Sequence, residues 1–181
     1  DALGTNSFDY LQTQNVNFSG GATWQATNSL ATNTTGLTLT PYASQTFYWI
    51  GNAGNWNDPI HWSFSSGGAI ANCVPNPQDS VVFDINSFTL TNQTVTINVD
   101  ITHKAITLNN VANNPLLTSS NRIITITKNL TFNGTASRFA HTSSTIQIQG
   151  NVINNGSNIA WNTSSTSLNV SGDFSIKNAT A

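Results

Sequence analysis

The chain has 181 residues, of which 7% are charged, with a formal net charge of −2, a single cysteine and no methionine. That balance excludes the basic footprint of a nucleic-acid binder and an internal disulfide framework. No apolar run approaches about 18 residues, which excludes a membrane-spanning helix.

Nine Phe, five Trp and three Tyr stand against disorder, which goes with few aromatics and high net charge. All seven acids are Asp, and the polar load falls on Asn, Thr and Ser, residues that favour turns and strand edges over helix interiors. The missing initiator and the absence of a charged and apolar leader give the expectation of a processed or excised part of a longer secreted chain.

Residues 1–40 read as the C-terminal part of a preceding β-module, with corners at Gly20-Gly21 and Gly36, apolar positions at Trp24, Leu30, Leu37 and Leu39, and closure at Pro41. Residues 41–92 read as a Trp-rich junction or cap with lead-in strands. Its segment 47–64 holds Phe47, Tyr48, Trp49, Trp56, Trp62 and Phe64, with Gly51, Gly54 and Asp58-Pro59 as turn formers. Asn72 to Asp84, with Pro75 and Pro77, reads as a loop feeding the strand Val81-Val82-Phe83.

Residues 93–181 carry the strongest pattern. Short period-2 stretches recur at a fixed step: Ile124, Ile146 and Leu168 are 22 apart, as are Ile126, Ile148 and Val170. Leu108, Leu130, Val152 and Phe174 keep the step, as do Leu117, Phe139 and Trp161. Asn129, Asn151 and Asp173 align, and Gly134, Gly156 and Asn178 mark a corner that needs positive φ. The reading is an all-β fold, a parallel β-helix or β-solenoid with coils of about 22 residues. Upstream, Thr102 and Lys104 stand where Ile124 and Ile126 would require apolar residues, so an irregular first coil is expected. One coil buries too few side chains to offset the entropy of ordering its backbone, so neighbouring coils must supply the stability.

Catalytic, cofactor and metal sites are all expected to be absent. His61, His103 and His141 are scattered, without carboxylate or cysteine at ligand spacing. The best acid pair, Asp84 and Asp100, sits at strand ends where turn roles suffice. The Trp cluster has two readings. One is a packed cap or joint that covers an open solenoid end. The other is a carbohydrate-binding platform of exposed Trp49, Trp56 and Trp62.

The run Trp49 to Ser63, of the form W-x-G-x-x-G-x-W-x-D-P-x-H-W-S, is followed by Cys73-Val74-Pro75, Asp79 to Asp84 and Thr94 to Val99. Together these resemble repeat modules of giant Bacteroidota surface proteins exported by type IX secretion, including gliding-motility adhesins of the SprB type. The resemblance spans residues 15–135. It implies an extracellular location attached to the outer membrane and a role as a structural or adhesive spacer in surface attachment or gliding. The partners it implies are neighbouring repeats of the same chain and a surface polysaccharide or substratum. Such modules carry a second cysteine after the T-V-T-I strand, where this chain has His103, so Cys73 is left without that disulfide partner. Asp79-Ser80-Val81 fits the O-glycosylation pattern of the same phylum, which makes Ser80 a candidate modification site.

Overall fold

A computed structural model of the chain describes residues 4–9, 11–134, 137–155 and 159–177. They fall into two compact units, Asp1–Ser44 and Gln45–Ala181.

In the first unit, strand β3 (Thr23–Thr32) is flanked by β1 (Thr5–Asp9), β2 (Gln12–Gln14) and β4 (Thr38–Pro41). Every pairing is parallel: Thr5 lies beside Thr23, Gln12 beside Leu30 and Gln25 beside Thr38. This segment is therefore itself a stack of parallel strands, and its first two pairings share one step along the chain. Phe8 stacks on Trp24 at 6.1 Å, and Phe18 packs on the same indole at 5.4 Å. Gly20 and Gly36 both have positive φ, as their corners demand, and a Cβ on Gly36 would strike the Phe18 carbonyl.

The second unit opens with β5 (Thr46–Trp49), β6 (Gly54–Asn55), a 3-10 turn (Pro59–His61), β7 (Trp62–Ser63) and β8 (Ser80–Phe83). It continues as β9 (Thr94–Ile97), β10 (Ile101–His103), β11 (Ala105–Asn109) and β12 (Leu116–Ser120). Next come β13 (Ile123–Ile126), β14 (Leu130–Asn133), β15 (Ser137–Thr142) and β16 (Thr145–Ile148). The last four are β17 (Val152–Asn155), β18 (Ile159–Ser164), β19 (Ser167–Val170) and β20 (Phe174–Lys177). Strands from successive turns stack into three sheets: β10-β13-β16-β19, β5-β8-β11-β14-β17-β20 and β6-β9-β12-β15-β18. All these pairings are parallel; β7 alone is antiparallel, lying along the outer edge of β5. This is a three-sided β-solenoid.

Alternation does the sorting. Each strand sends every second side chain inward, and the inward sets are mostly apolar, with His103, Ser119 and His141 as buried polar exceptions. Ile124, Ile146 and Leu168 form one column; Ile126, Ile148 and Val170 form the next. Val81, Ile106, Leu130, Val152 and Phe174 form a third, and Val95, Leu117, Phe139 and Trp161 share a fourth register. Leu108 departs from its expected place. It lies further along β11 and pairs with Phe132, so the residue in the Leu130 column is Ile106. The register of the second sheet explains this. Thr46 pairs with Ser80, Ser80 with Ala105, Ile106 with Leu130, Leu130 with Val152 and Val152 with Phe174. The step shortens at each of the first pairings and becomes constant only from Leu130 onward. The irregular first coil has the same origin. Ile101 pairs with Ile124 and His103 with Ile126, so the inward positions are those and not Thr102 and Lys104.

The corners account for the asparagines. Asn133 Nδ2 donates to Asn109 Oδ1 and Asn155 Nδ2 to Asn133 Oδ1, at 3.4 and 2.7 Å. At another corner Asn129 Oδ1 accepts from Asn151 N–H, and Asn151 Oδ1 accepts from Asp173 N–H. Asn110 and Gly134 are coil-mates, with φ of 51° and 87°. Gly156 and Asn178, expected at the same corner, lie outside the described residues.

The boundary expected between a junction (41–92) and a solenoid (93–181) is not a boundary of the fold. Strands β5, β6 and β8 belong to the same sheets as the regular coils, because the long loops between them still return the chain to the register of the stack.

Adjacent positions on β16 test the facing. Ile148 is buried and Gln147 exposed. Ile148→Asp places a charge in the core and is expected to cost several kcal/mol. Gln147→Asp is expected to stay within about ±0.5 kcal/mol. Urea midpoints of the two variants make the comparison, and equal shifts would mean that the faces are inverted.

Candidate functional site

The Trp-rich run builds the closed head of the solenoid. Trp49 ends β5 and lies opposite Trp62 on β7. Trp56 follows β6 and anchors by its backbone N–H to the Thr96 carbonyl at 2.8 Å. The rings meet edge to face, Trp49 and Trp56 each 5.0 Å from Trp62, with Phe83 beneath them. Each of these three indole N–H groups has an acceptor: Trp49 donates to the Asn52 carbonyl, Trp62 to the Trp56 carbonyl and Trp56 to His103 Nε2.

The remaining motif positions serve the same assembly. His61 lies flat on Trp49, 4.7 Å away and 5° from parallel, with Nδ1 3.0 Å from the Ile50 carbonyl. Its imidazole occupies the space above Gly54, where a Cβ would run into Nε2. Gly51 turns the chain at a φ of 83°. Asp58 accepts from Ile60 N–H to start the 3-10 turn, whose first residue is Pro59. Asn52, at a φ of 70°, accepts from Thr89 N–H and Leu90 N–H, which ties the head to a later loop.

Trp49, Trp56 and Trp62 are 0, 2 and 0% exposed. Stacking a sugar requires an open ring face, and these three rings spend theirs on one another, on His61 and on Phe83. The platform reading of these residues is thereby corrected: they are core. The motif also lies wholly within the second unit, so it is the head of that unit and not a segment of its own.

Below the head, residues 72–79 form a loop held by two buried groups. Asp79 accepts from Gln45 N–H and Asn76 N–H, each at 2.8 Å. His103, pointing inward from β10, has Nδ1 3.1 Å from the Asn76 carbonyl and Nε2 3.2 Å from Trp56 Nε1. Since the indole can only donate, Nε2 accepts and the proton sits on Nδ1. Burial pushes the His103 pKa down to about 4, against the pull of the Asn76 carbonyl and the Asp79 carboxylate. Cys73, on the same loop, is a free and exposed thiol, its pKa raised by partial burial and by Asp79. Ser80 begins β8 between Thr46 and Ala105 and is half-buried, on the outward side of the alternation. Asp84 accepts from Asn86 N–H within its own turn, and Asp100 accepts from Ile123 N–H on the next coil.

A second polar cluster sits inside the regular coils, at a register position held by Ser119, His141 and Thr163. His141, from β15, is buried with Nδ1 2.6 Å from Ser119 Oγ, which lies 2.8 Å from Ser144 Oγ. Ser144 donates on to the Thr142 carbonyl. A directional chain results, from His141 Nδ1–H through Ser119 and Ser144 to the backbone, and it leaves Nε2 as a buried atom without a partner. Burial lowers the His141 pKa to about 4. A trace of this corner was present in the sequence. Asn121, Ser143 and Ser165 recur at the coil period and all have φ near +50°. Arg122, Ser144 and Thr166 follow them at the same period, and Thr166 Oγ1 donates to the His141 carbonyl.

Among the described residues no group of three or more His, Cys, Asp or Glu could hold a metal ion, and no helix is long and apolar enough to cross a membrane. The chain matches no protein-family model, no curated protein and no solved structure.

Two outcomes follow from the packing of these groups. Gly54→Ala is expected to cost about 1–3 kcal/mol, the range for overpacking, and His61→Ala should recover part of that loss in the double variant. Additive melting shifts would mean that Gly54 and His61 are not coupled. For His141, the folded pKa lies below the unfolded value of 6.5. Stability is therefore highest above pH 6.5 and falls as pH drops toward 4, since only the unfolded chain takes up the proton in that window. The expected loss between about pH 7.5 and 4.5 is about 2–3 kcal/mol, and His141→Gln should flatten the pH profile of urea midpoints by that amount.

Proposed function

We propose that this chain is a structural module of a large cell-surface adhesin or filament, a stiff spacer that holds a distal binding region away from the cell. The observation that carries this reading is the column packing of the second unit. Parallel strands of one sheet follow from Thr46 to Lys177 in unbroken lateral pairing, beneath an aromatic head. Such a stack lengthens by about 4.8 Å per coil and resists bending, because from β10 onward the coils are bonded to their neighbours along three faces.

Composition supports the surface location. Charge is sparse, and the corner asparagines supply the positioning that ion pairs would otherwise provide. The resemblance of the Trp49 to Ser63 run to modules of surface adhesins points the same way. On this reading the module performs no catalysis, its outward partners are a surface polysaccharide or a substratum, and Ser80 is available on an outward strand position for glycosylation.

The mechanical role is tested by pulling the chain from its ends in a force spectrometer. Coil-by-coil rupture is expected, with contour gains of roughly 70–80 Å per event, the length of about 22 extended residues. A single low-force event for the whole unit would speak against a load-bearing spacer. The location is tested by labelling intact cells with an antibody to this segment. Signal that appears only after lysis would overturn the surface reading.

A further inference from the structure

The regular coils leave the loop 72–79 with no strand to join, yet separate elements converge on it. Asp79 ties its end to Gln45 N–H and to Asn76 N–H. The Asp79 carbonyl accepts from Lys104 N–H at 2.8 Å. The Asn76 carbonyl accepts from Asp79 N–H at 3.0 Å, which closes the turn on itself, and from His103 on β10, which is its bond to the coil. The other nitrogen of that imidazole receives the Trp56 indole N–H, and the two rings lie 5.4 Å apart. Between loop and coil lies a cleft of about 190 Å³ lined by Trp56, Val74, Pro75, Pro77, Asp100 and His103, among others.

We infer that His103 is an acid-released latch: neutral, it clamps the 72–79 loop over this cleft, and protonated, it lets the loop open while the solenoid stays folded. The reason is a conflict of donors. The neutral ring bridges two fixed partners, donating to Asn76 and accepting from Trp56. A second proton must go on Nε2, where it meets the Trp56 N–H at 3.2 Å, and two donors then face each other. Trp56 is not free to turn, being wedged against Trp62 and Phe83. The imidazole is the group that yields, and its bond to the loop changes with it.

The charged surroundings decide where the loop goes. Asp79 lies close enough to favour the protonated ring, but its two oxygens are already engaged by Gln45 and Asn76. Asp100 also lines the cleft, and Lys104 follows His103 in the chain. The coil-mate of His103 on the next turn is Ile126, which offers no polar partner. Opening therefore separates Val74 and Pro75 from Val99 and Trp56 without breaking any strand pairing.

Hydrogen exchange on the whole chain tests the latch, with rates corrected for the intrinsic pH dependence. In a His141→Gln background, which removes the regular coils' own acid sensitivity, amides of residues 72–79 are expected to lose protection at least tenfold between pH 7 and pH 4.5, while amides of β13 and β16 keep theirs. His103→Gln, whose amide can donate to Asn76 and accept from Trp56 without titrating, should remove the pH dependence of the loop. Three results would overturn the latch: loop protection unchanged by acid, loop and strand amides losing protection together, or an acid response that survives His103→Gln. Should His103→Gln fail to fold, NMR titration of the wild-type imidazole serves in its place. A His103 midpoint coinciding with the loop's loss of protection supports the latch, and a midpoint separated from it by more than about one pH unit would refute it.

Discussion

In a coil of parallel strands no strand finds a hydrogen-bond partner within its own turn. Every main-chain donor and acceptor on its edges must be met by the turn before or the turn after. This one requirement governs the second unit. It fixes the rise of the stack, it forces inward side chains into columns of coil-mates, and it demands that each corner bring the chain back in register whatever its length. The corners meet that demand with asparagine, whose side chain tolerates positive φ and pairs with its counterpart one turn away. Asn110, Asn121 and the Asn109-Asn133-Asn155 ladder show both uses.

The same requirement creates a difficulty at the ends, where an edge has no next turn. At the N-terminal end of the second unit the answer is aromatic mass and one reversed strand. Strand β7 runs antiparallel to β5 and occupies its outer edge, while Trp49, Trp56 and Trp62 fill the opening of the core. The head is thus specified by geometry more than by chemistry. Gly54 is glycine because His61 needs its space, and His61 lies there because Trp49 offers a flat face. A motif that reads as a ligand platform from its residue types is, residue by residue, a device for closing a tube.

How much of this could be read from the sequence follows from the same physics. The regular coils were legible because a constant step leaves repeated apolar columns: Ile126, Ile148 and Val170 lie where the period puts them. That the register slips upstream was legible at Thr102 and Lys104, but the residues that take the inward places, Ile101 and His103, and the displacement of Leu108 were not, since a corner can gain a residue or two without altering the alternation that betrays a strand. The burial of the three tryptophans could not be settled from residue type, because indoles suit a cap and a sugar platform equally well. The inward placing of His103 and His141 was invisible for a different reason. His103 is a single polar side chain in an apolar column and leaves no periodic trace, while His141 belongs to the register Ile97, Ser119, His141 and Thr163, whose polar residue types read as outward positions.

The register of the second sheet, with steps that shorten away from the head and then hold constant, has a genetic reading. Where the step is constant, one coil superimposes on the next with no change of register. A duplication or deletion of whole coils then leaves every remaining contact in place. Near the head the steps differ, so unequal recombination there would misalign loops that are held by unique residues such as Asp79 and His103. The regular region is therefore the part of the gene free to lengthen and shorten over generations, and the head is the part that must be inherited intact.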